Sequence, residues 1–303
     1  MLGEFTVIVN PTAANGKVGK LWPDVEDFLR SQEMPFSFVF TEYPRHAISL
    51  AREAVEKGAR CIIAFGGDGT LNEVLNGMLY QGPRDDLILG VIPGGTGADF
   101  AKTLGLPREP ISACRHLIEG KTRCIDLGEI ECFRDGKPER RYFINVAGLG
   151  FDAEVAERTN RAPKILGGTV PYLASLVISL IAYRKKKMTL LLDGHTIEQK
   201  AYMVAVAIGQ YFGGGMHIAP NASPDDGLFD VVVVGDTTKL DFLKSVPRVY
   251  KGTHLDHPKV DSYRASHVEV QTDEKVFIQA EGELVGTAPA VFRMHHKAVK
   301  LLV

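Results

Sequence analysis

The stretch Cys61–Val74 constrains the fold of this chain more than any other segment. Five apolar residues run into Gly-Gly-Asp-Gly-Thr at 66–70, and a helical spacing of apolar residues begins at Leu71. This order predicts a buried strand, a tight turn and a helix. The glycines let a ligand approach the backbone, and the N–H groups of the turn and of the helix N-terminus favour an anion such as phosphate. Asp68 adds a negative charge, which indicates a divalent cation between its carboxylate and that anion.

The same order of strand, turn and helix recurs through the first 104 residues. Apolar runs at 5–9, 36–40, 61–65 and 87–92 predict strands, and helical spacing follows each of them, with small residues in the turns at 12–17 and 93–97. This alternation predicts a mostly parallel sheet with helices on both faces. A ligand is then expected at the carboxyl ends of the strands.

From Asp126 onwards the pattern changes to short strands. Asp-Gly pairs at 135–136 and 193–194 predict hairpins, and helical stretches interrupt only near 152–160, 171–184 and 239–250. We therefore predict an α/β protein with two domains. A mostly parallel α/β domain covers 1–125, an antiparallel β-sandwich-like domain covers 126–289, and the residues alone do not decide which domain the last strand, 290–303, joins.

Composition narrows the class of protein. The 303 residues include 35 basic and 37 acidic side chains, so the net charge of −2 gives no field that favours nucleic acid. The four cysteines form no C-x-x-C pair and no signal peptide precedes the first strand, which predicts reduced thiols in a cytoplasmic protein.

An apolar segment, 170–183, precedes the basic run Arg184–Lys187. Fourteen residues are fewer than the roughly 20 that span a bilayer, so we predict a buried or surface-facing helix. The basic run then either ends this helix in solvent or contacts anionic lipid headgroups, and both interpretations stay open.

Two acidic segments in the second half are candidates for chemistry. Asp225, Asp226 and Asp230 surround a glycine turn, and carboxylate and carbonyl oxygens are the ligands that Mg²⁺ prefers. A solvated acidic turn is the alternative. Glu281 and Glu283 flank Gly282, as in an ordinary polar hairpin tip.

The GGDGT turn is a signature shared by NAD kinases, 6-phosphofructokinases and the diacylglycerol and sphingosine kinases, so alone it leaves the acceptor open. Over its whole length, however, the chain resembles the soluble bacterial diacylglycerol kinase-like lipid kinases, which are relatives of sphingosine and ceramide kinases. The motifs that carry the resemblance are Asn10-Pro11, Gly66–Glu73, Pro93–Phe100, Gly213–Pro220, Asp226-Gly227-Leu228 and Gly282-Glu283.

This resemblance implies a nucleotide-binding domain to which the last strand returns, a β-rich lipid-substrate domain, and an active site in the cleft between them. It implies that Asp68 serves the Mg²⁺ bound to ATP, that Glu283 is the general base, and that a second, supporting Mg²⁺ is held by Asp226 and the carbonyls of Ser223 and Leu228. The positions expected against ATP are Asn10, Pro11, Thr12, Ala13, Ala14, Thr41, Gly66, Gly67, Asp68, Gly69, Thr70, Leu71, Asn72, Glu73 and Thr96.

Two positions depart from the family pattern: Ala98 replaces the usual Asn, and Glu281 replaces the usual Asp. The first departure predicts the loss of one polar contact, and the second puts the geometry near the base in doubt. The function expected is an ATP- and Mg²⁺-dependent lipid kinase at the membrane surface, with diacylglycerol as the favoured acceptor. An NAD kinase-like enzyme and a non-catalytic lipid- or nucleotide-binding regulator are the alternatives. The oligomeric state is undecided, with a homodimer among the options.

Overall fold

The computed structural model describes residues 3–161 and 183–303, and the contacts of the chain divide it into two units. The first unit contains Met1–Leu127, Pro224–Asp226 and His295–Val303, and the second contains Gly128–Ser223 and Gly227–Met294. The sequence predicts 224–226 within the second domain, whereas the contacts group this segment with the first unit. The backbone N–H of Asp126 donates to the Pro224 carbonyl at 2.7 Å, and this hydrogen bond ties the segment to the first unit.

The first unit is built on a parallel sheet, as the sequence predicted. Its strands lie in the order β4, β3, β1, β2, and the residues near the C-terminus pair in parallel with β4 through Lys300 and Leu301. All these strands therefore end at the same edge. Their bounds are β1 Phe5–Val9, β2 Phe36–Phe40, β3 Cys61–Gly66 and β4 Ile88–Pro93.

Helices follow these strands and cover the sheet with apolar side chains. Trp22 of α1 is 3% exposed and contacts the rings of Phe38 and Phe65, with centroids 4.8 and 6.2 Å apart. Ala14, Asn15 and Gly16 have positive φ, so a turn precedes the regular part of α1. The helices are α1 Ala13–Ser31, α2 His46–Glu56, α3 Asp68–Met78, α4 Asp99–Thr103 and α5 Pro110–Glu119.

The second unit is antiparallel, which confirms the predicted change of fold after the first unit. Buried apolar residues from many strands, among them Phe143, Val206, Val231 and Phe292, form one core. Two long strands, β5 Thr122–Arg134 and β17 Glu283–Leu302, have residues in both units. The remaining strands are β6 Lys137–Phe143, β7 Val146–Gly150, β8 Lys186–Leu192, β9 His195–Ala201, β10 Met203–Ala207, β11 Tyr211–Phe212, β12 Met216–His217, β13 Phe229–Val234, β14 Val260–Ala265, β15 His267–Gln271 and β16 Phe277–Ala280.

Both predicted hairpins are present. Residues 135–136 join β5 to β6, residues 193–194 join β8 to β9, and all four have positive φ. Two successive positive φ values suit the twist of a hairpin with a two-residue loop. Glu281 and Gly282, with φ of 55° and 82°, join β16 to β17 in the same way.

Helices α6 Phe151–Arg161 and α7 Lys239–Lys251 match two of the three helical predictions for the second unit. A short 3₁₀ turn, His254–Asp256, follows α7. The third prediction, 171–184, lies outside the described residues except for its last two positions. Within 3–161 and 183–303, every helix is too short or too polar to cross a bilayer.

Candidate active site

The turn after β3 lies directly against the turn after β4. Gly67 has extended backbone and is the N-cap residue of α3, and the N–H of Gly94 donates to the carbonyl of Gly66 at 2.8 Å. A Cβ at Gly95 would lie 2.6 Å from the Cα of Gly67, closer than real Cβ atoms approach other atoms. The two glycine turns thus meet backbone to backbone at the carboxyl ends of neighbouring parallel strands, the edge where α/β sheets bind ligands.

Asp68, the first residue of α3, uses its carboxylate to cap α4. Its Oδ2 accepts the N–H of Asp99 at 3.1 Å, and its Oδ1 accepts the N–H of Phe100 at 3.2 Å. Burial raises the pKa of the Asp68 carboxyl and the nearby Asp99 raises it further, whereas these backbone hydrogen bonds lower it. An ionised carboxylate has about four acceptor positions, so the two N–H groups leave room for a cation at Asp68.

Glu73, on the same helix, caps the N-terminus of α2 in a similar way. The N–H groups of Arg45 and Ala47 donate to its two carboxylate oxygens at 3.1 and 3.2 Å, where α2 begins. A carboxylate at a helix N-terminus complements the helix dipole. The sequence predicts Glu73 against ATP but gives no signal for this contact with α2.

Asn10 connects the end of β1 to the start of α3. Its Nδ2 donates to Oγ1 of Thr70 at 2.9 Å, and its Oδ1 accepts from both the N–H and the hydroxyl of Thr12. The backbone of Ala14 lies in the left-handed turn that precedes the regular part of α1. One polar side chain therefore fixes the turn after β1 relative to the GGDGT turn.

The other positions expected against ATP differ in exposure. Thr41 is buried and its N–H donates to the carbonyl of Val9 at 2.9 Å, whereas Thr96 is exposed and its carbonyl accepts from Arg108 at 3.1 Å. The sequence gives no signal for Arg108, because its neighbours along the chain do not distinguish it from any surface arginine. Leu71 and Asn72 are buried, and the half-buried positions are Pro11, Ala13 and Gly69.

In the second unit, Glu281 anchors the hairpin that precedes Glu283. Its Oε1 accepts the N–H groups of Ile144 and Asn145 at 3.0 and 2.8 Å, and its own N–H donates to the carbonyl of Val146 at 3.1 Å. The departure at Glu281 therefore has a structural consequence, because its side chain holds the turn on the segment between β6 and β7.

Glu283 lies beside a buried guanidinium. Its Oε2 is 3.4 Å from Nη2 of Arg141, and the Arg141 side chain is 6% exposed whereas that of Glu283 is 34% exposed. The carboxylate is thus accessible to a ligand on one side and contacts a cation on the other. Arg141 is 142 residues away along the chain, so the sequence gives no signal for this contact.

The candidate cluster of three aspartates, for which a solvated acidic turn is the alternative, is not found among the residues that the structure describes. Asp225 binds Arg123 through its carboxylate at 2.7 Å, whereas Asp230 is buried within β13, with Oδ2 3.9 Å from Arg264. Among the residues that the structure describes, no group of three or more His, Cys, Asp or Glu side chains could hold a metal. Asp225 pairs with Arg123 and Asp230 is buried, so the described carboxylates of this segment do not form a metal-binding group of three.

The narrower metal prediction uses one carboxylate and two carbonyls. Asp226 is exposed, and Ser223 and Leu228 are half-buried. Gly227 has a φ of +81°, which bends the chain between the aspartate and Leu228. Such an oxygen-only donor set suits a hard cation that keeps several waters. The assignment of these three residues stays a prediction.

Asp126 is a fully buried carboxylate that the sequence analysis passed over. It is 0% exposed, and its Oδ1 accepts from Nδ1 of His296 at 2.9 Å and from the N–H of Lys297 at 2.7 Å. These contacts attach the C-terminal residues to β5 within the first unit. A single Asp at the start of an apolar run gives no signal for partners 170 residues away.

Comparisons with known proteins agree along the whole chain. The family model described as the diacylglycerol kinase catalytic domain matches residues 4–130, and the model described as the YegS C-terminal NAD kinase beta sandwich-like domain matches residues 145–303. The diacylglycerol kinase of Bacillus subtilis (strain 168) is 31% identical over 94% of this chain and 91% of its own. The diacylglycerol kinase of Mycobacterium tuberculosis (strain ATCC 25618 / H37Rv) is 30% identical over 99% and 95%.

Solved structures share the fold. A crystal structure of a diacylglycerol kinase from Bacillus anthracis str. Sterne has a TM-score of 0.73 and 20% identity, covering 99% of this chain and 96% of that one. Yeast NADH kinase in complex with NADH has a TM-score of 0.50 and 11% identity, covering 99% and 82%. The two-domain arrangement of an α/β domain and a sandwich-like domain is therefore common to both kinds of kinase.

Proposed function

The chain belongs to the diacylglycerol kinase family of enzymes, and from this premise we propose that it transfers the γ-phosphoryl group of ATP to the hydroxyl of a membrane lipid. Diacylglycerol, which would become phosphatidic acid, is the favoured acceptor. The observation that carries the proposal is the backbone contact between the GGDGT turn and the turn after β4.

The nucleotide part of the proposal rests on the first unit. The glycines of the turn at Gly66–Thr70 leave its backbone open to a phosphate, and α3 begins within this turn at Asp68. Backbone N–H groups in such a turn bind phosphate oxygens and orient the transferred group. The hydrogen bonds of Asn10, Asp68 and Glu73 join this turn and its helix to neighbouring segments, which supports catalysis by positioning of the bound phosphates.

We propose Asp68 as the residue that serves the Mg²⁺ of ATP, and Asp226 with the carbonyls of Ser223 and Leu228 as holders of a supporting Mg²⁺. These donors are oxygens, which fit that ion. Bound Mg²⁺ would supply charge neutralisation on the phosphates. The chain itself contributes a carboxylate at each of the two positions.

The proton-transfer part of the proposal rests on Glu283. Its carboxylate is partly exposed and lies on a hairpin fixed by Glu281, so it can accept the proton of a lipid hydroxyl as that oxygen attacks. General-base assistance is worth roughly 10²–10⁴ in rate. Arg141 orients the carboxylate from the buried side.

The test is phosphoryl transfer by the purified protein with Mg·ATP and a panel of diacylglycerol, sphingosine, ceramide and undecaprenol in mixed micelles. We expect a phosphorylated lipid, identified by mass, and diacylglycerol as the best acceptor. Glu283→Gln should reduce kcat by roughly 10²–10⁴ while ATP still binds. Absence of transfer to every lipid would refute the function, and unchanged turnover in the variant would remove Glu283 from the mechanism.

NAD phosphorylation is the second candidate, and the shared fold of yeast NADH kinase is the observation that favours it. Adding NAD⁺ to the same assay separates the two, since a lipid kinase leaves it unchanged. A non-catalytic regulator would bind ATP without turnover on any acceptor. Ala98 replaces the usual Asn at a position with left-handed backbone, φ of 49°, where alanine is strained. This departure from the family pattern is the reason to test the third function.

We also propose that the protein works in the cytoplasm and contacts the membrane surface peripherally, because its acceptor would reside in a bilayer. The basic residues Arg184–Lys187 are candidates for this contact, although Lys186 pairs with Glu274 at 2.6 Å and Lys187 with Glu198 at 3.2 Å. Sedimentation with vesicles containing anionic lipid tests the contact, and sedimentation velocity tests for a homodimer.

A further inference from the structure

The side chain of Gln279 lies beneath the hairpin that precedes Glu283. Gln279 is 3% exposed and belongs to β16. Its Oε1 accepts the N–H of Gly282 at 2.8 Å, and its Nε2 donates to Oδ2 of Asp152 at 2.9 Å. One buried amide therefore joins the start of α6 to the tip of the hairpin.

The backbone opposite this pair leaves room for it. Gly148 lies in β7 and pairs with Gln279 across the sheet. A Cβ at Gly148 would overlap Oδ2 of Asp152 and come within 2.8 Å of Nε2 of Gln279. The hydrogen bond between Asp152 and Gln279 thus fills a space that only glycine provides.

The two ends of a glutamine amide have nearly the same shape but opposite hydrogen-bonding roles. A flipped Gln279 would turn its NH₂ group towards the N–H of Gly282, and two donors would face each other. An ionised aspartate only accepts hydrogen bonds, so Asp152 selects the orientation in which Oε1 meets Gly282. We propose that Asp152, through Gln279, is a positioning residue that fixes the hairpin from which Glu283 projects.

This inference rests on the proposed function, in which Glu283 takes the proton of the acceptor hydroxyl. Gly282 immediately precedes Glu283, so loss of the Gly282 hydrogen bond would move the carboxylate without touching the nucleotide turn. A misplacement of about 1 Å at a reacting group can lower the rate by about 100-fold. Turnover should therefore suffer while ATP affinity does not.

The test uses a swap of donor and acceptor in the full-length protein. Gln279→Glu alone sets two carboxylates against each other, and Asp152→Ala leaves Nε2 without its acceptor. The double variant Asp152→Asn/Gln279→Glu restores the pair with its polarity reversed, because the new amide donates to the new carboxylate and the hairpin N–H still finds an acceptor. Gln271→Glu, at an exposed residue of β15, is the matched control.

Two measurements decide the outcome: hydrogen exchange of the Gly282 amide, and kcat and KM for ATP with diacylglycerol. Each single variant should speed exchange about 10-fold and lower kcat by about 10- to 100-fold, with KM for ATP within about twofold. The double variant should recover most of both losses, and the control should match the unmodified protein. Recovery would not follow from a merely destabilised fold.

The outcomes separate this inference from the proposed function. Unchanged exchange at Gly282 in Asp152→Ala and Gln279→Glu, or a double variant no better than the singles, overturns the inference even if the lipid kinase activity stands. Absence of lipid phosphorylation by the unmodified protein refutes the proposed function. In that case accelerated exchange in both single variants and its recovery in the double variant still support the positioning of the hairpin by Asp152.

Discussion

The contact between Gly95 and Gly67 gives the sharpest prediction, because the two glycines are not equivalent. In Gly95→Ala the new Cβ would lie 2.6 Å from the Cα of Gly67, whereas ordinary contacts begin at 3.4 Å, so the two turns must separate by about 0.8 Å. In Gly67→Ala the new Cβ would lie 3.5 Å from the Cα of Gly95, an ordinary contact, and a φ of −91° suits alanine. Overpacking against backbone costs about 1–3 kcal/mol, so only Gly95→Ala should destabilise the first unit.

Trp22 makes this difference measurable in one unit. It is the only tryptophan of the chain and lies 3% exposed in the core of the first unit, so its fluorescence during urea unfolding follows that unit. We expect the midpoint for Gly95→Ala to fall by roughly 1 M and that for Gly67→Ala to stay close to the unmodified protein. Equal midpoints for the two variants, or a fall in Gly67→Ala alone, would refute the geometric reasoning.

Three further predictions follow from burial and charge. Cys124 is exposed, whereas the other three cysteines are buried and burial raises the pKa of Cys61 to about 12, so a thiol reagent should modify one cysteine of the native protein quickly and four in urea. Burial raises the pKa of Asp152 to about 6 from 3.8, because the folded protein favours the protonated carboxyl. This protonation stabilises the folded protein fully below pH 4, and the stabilisation is lost as the pH rises through 6. As the pH rises from 4 to 7, the free energy of unfolding of Asp152→Asn should therefore increase by up to about 3 kcal/mol relative to that of the unmodified protein. Urea unfolding measures this difference, and a difference that does not change with pH would contradict the prediction. Arg141→Met should lower kcat at least about 10-fold with ATP binding retained, because Glu283 loses the guanidinium beside it, and unchanged kcat would separate Arg141 from the base.

Local pattern was enough to predict the architecture of both units. The five apolar residues before GGDGT lie in β3, the helix begins at Asp68, and the change to short strands with Asp-Gly turns marks the antiparallel unit. These features depend on neighbours along the chain: buried runs, glycine turns and helical spacing. The grouping of 224–226 with the first unit has no such local signal, because that segment is held by a hydrogen bond to Asp126, about a hundred residues earlier.

The site was only partly predictable for the same reason. The sequence predicts a role for the turn at Gly66–Thr70 and for the tip at Glu283, because glycines beside acidic residues stand out. It gives no signal for the groups that hold them, such as Asp99 against Asp68 or Arg141 against Glu283, since each pair is formed by the fold. For the three aspartates the sequence is misleading in another way. They are close along the chain, but closeness along the chain does not imply that side chains converge on one ion.

Glu281 shows why a departure from a family motif has to be judged by its contacts. A non-glycine residue with a φ of 55° is strained, and Glu281 occupies the first position of a two-residue hairpin. Its carboxylate compensates by accepting two backbone N–H groups from Ile144 and Asn145, whose donors would otherwise need other partners. Gln279 holds the second residue of the same hairpin through the N–H of Gly282. Two side chains therefore fix the two loop residues separately, and this restricts the position of Glu283, as its proposed role as a base that meets a hydroxyl in one orientation requires.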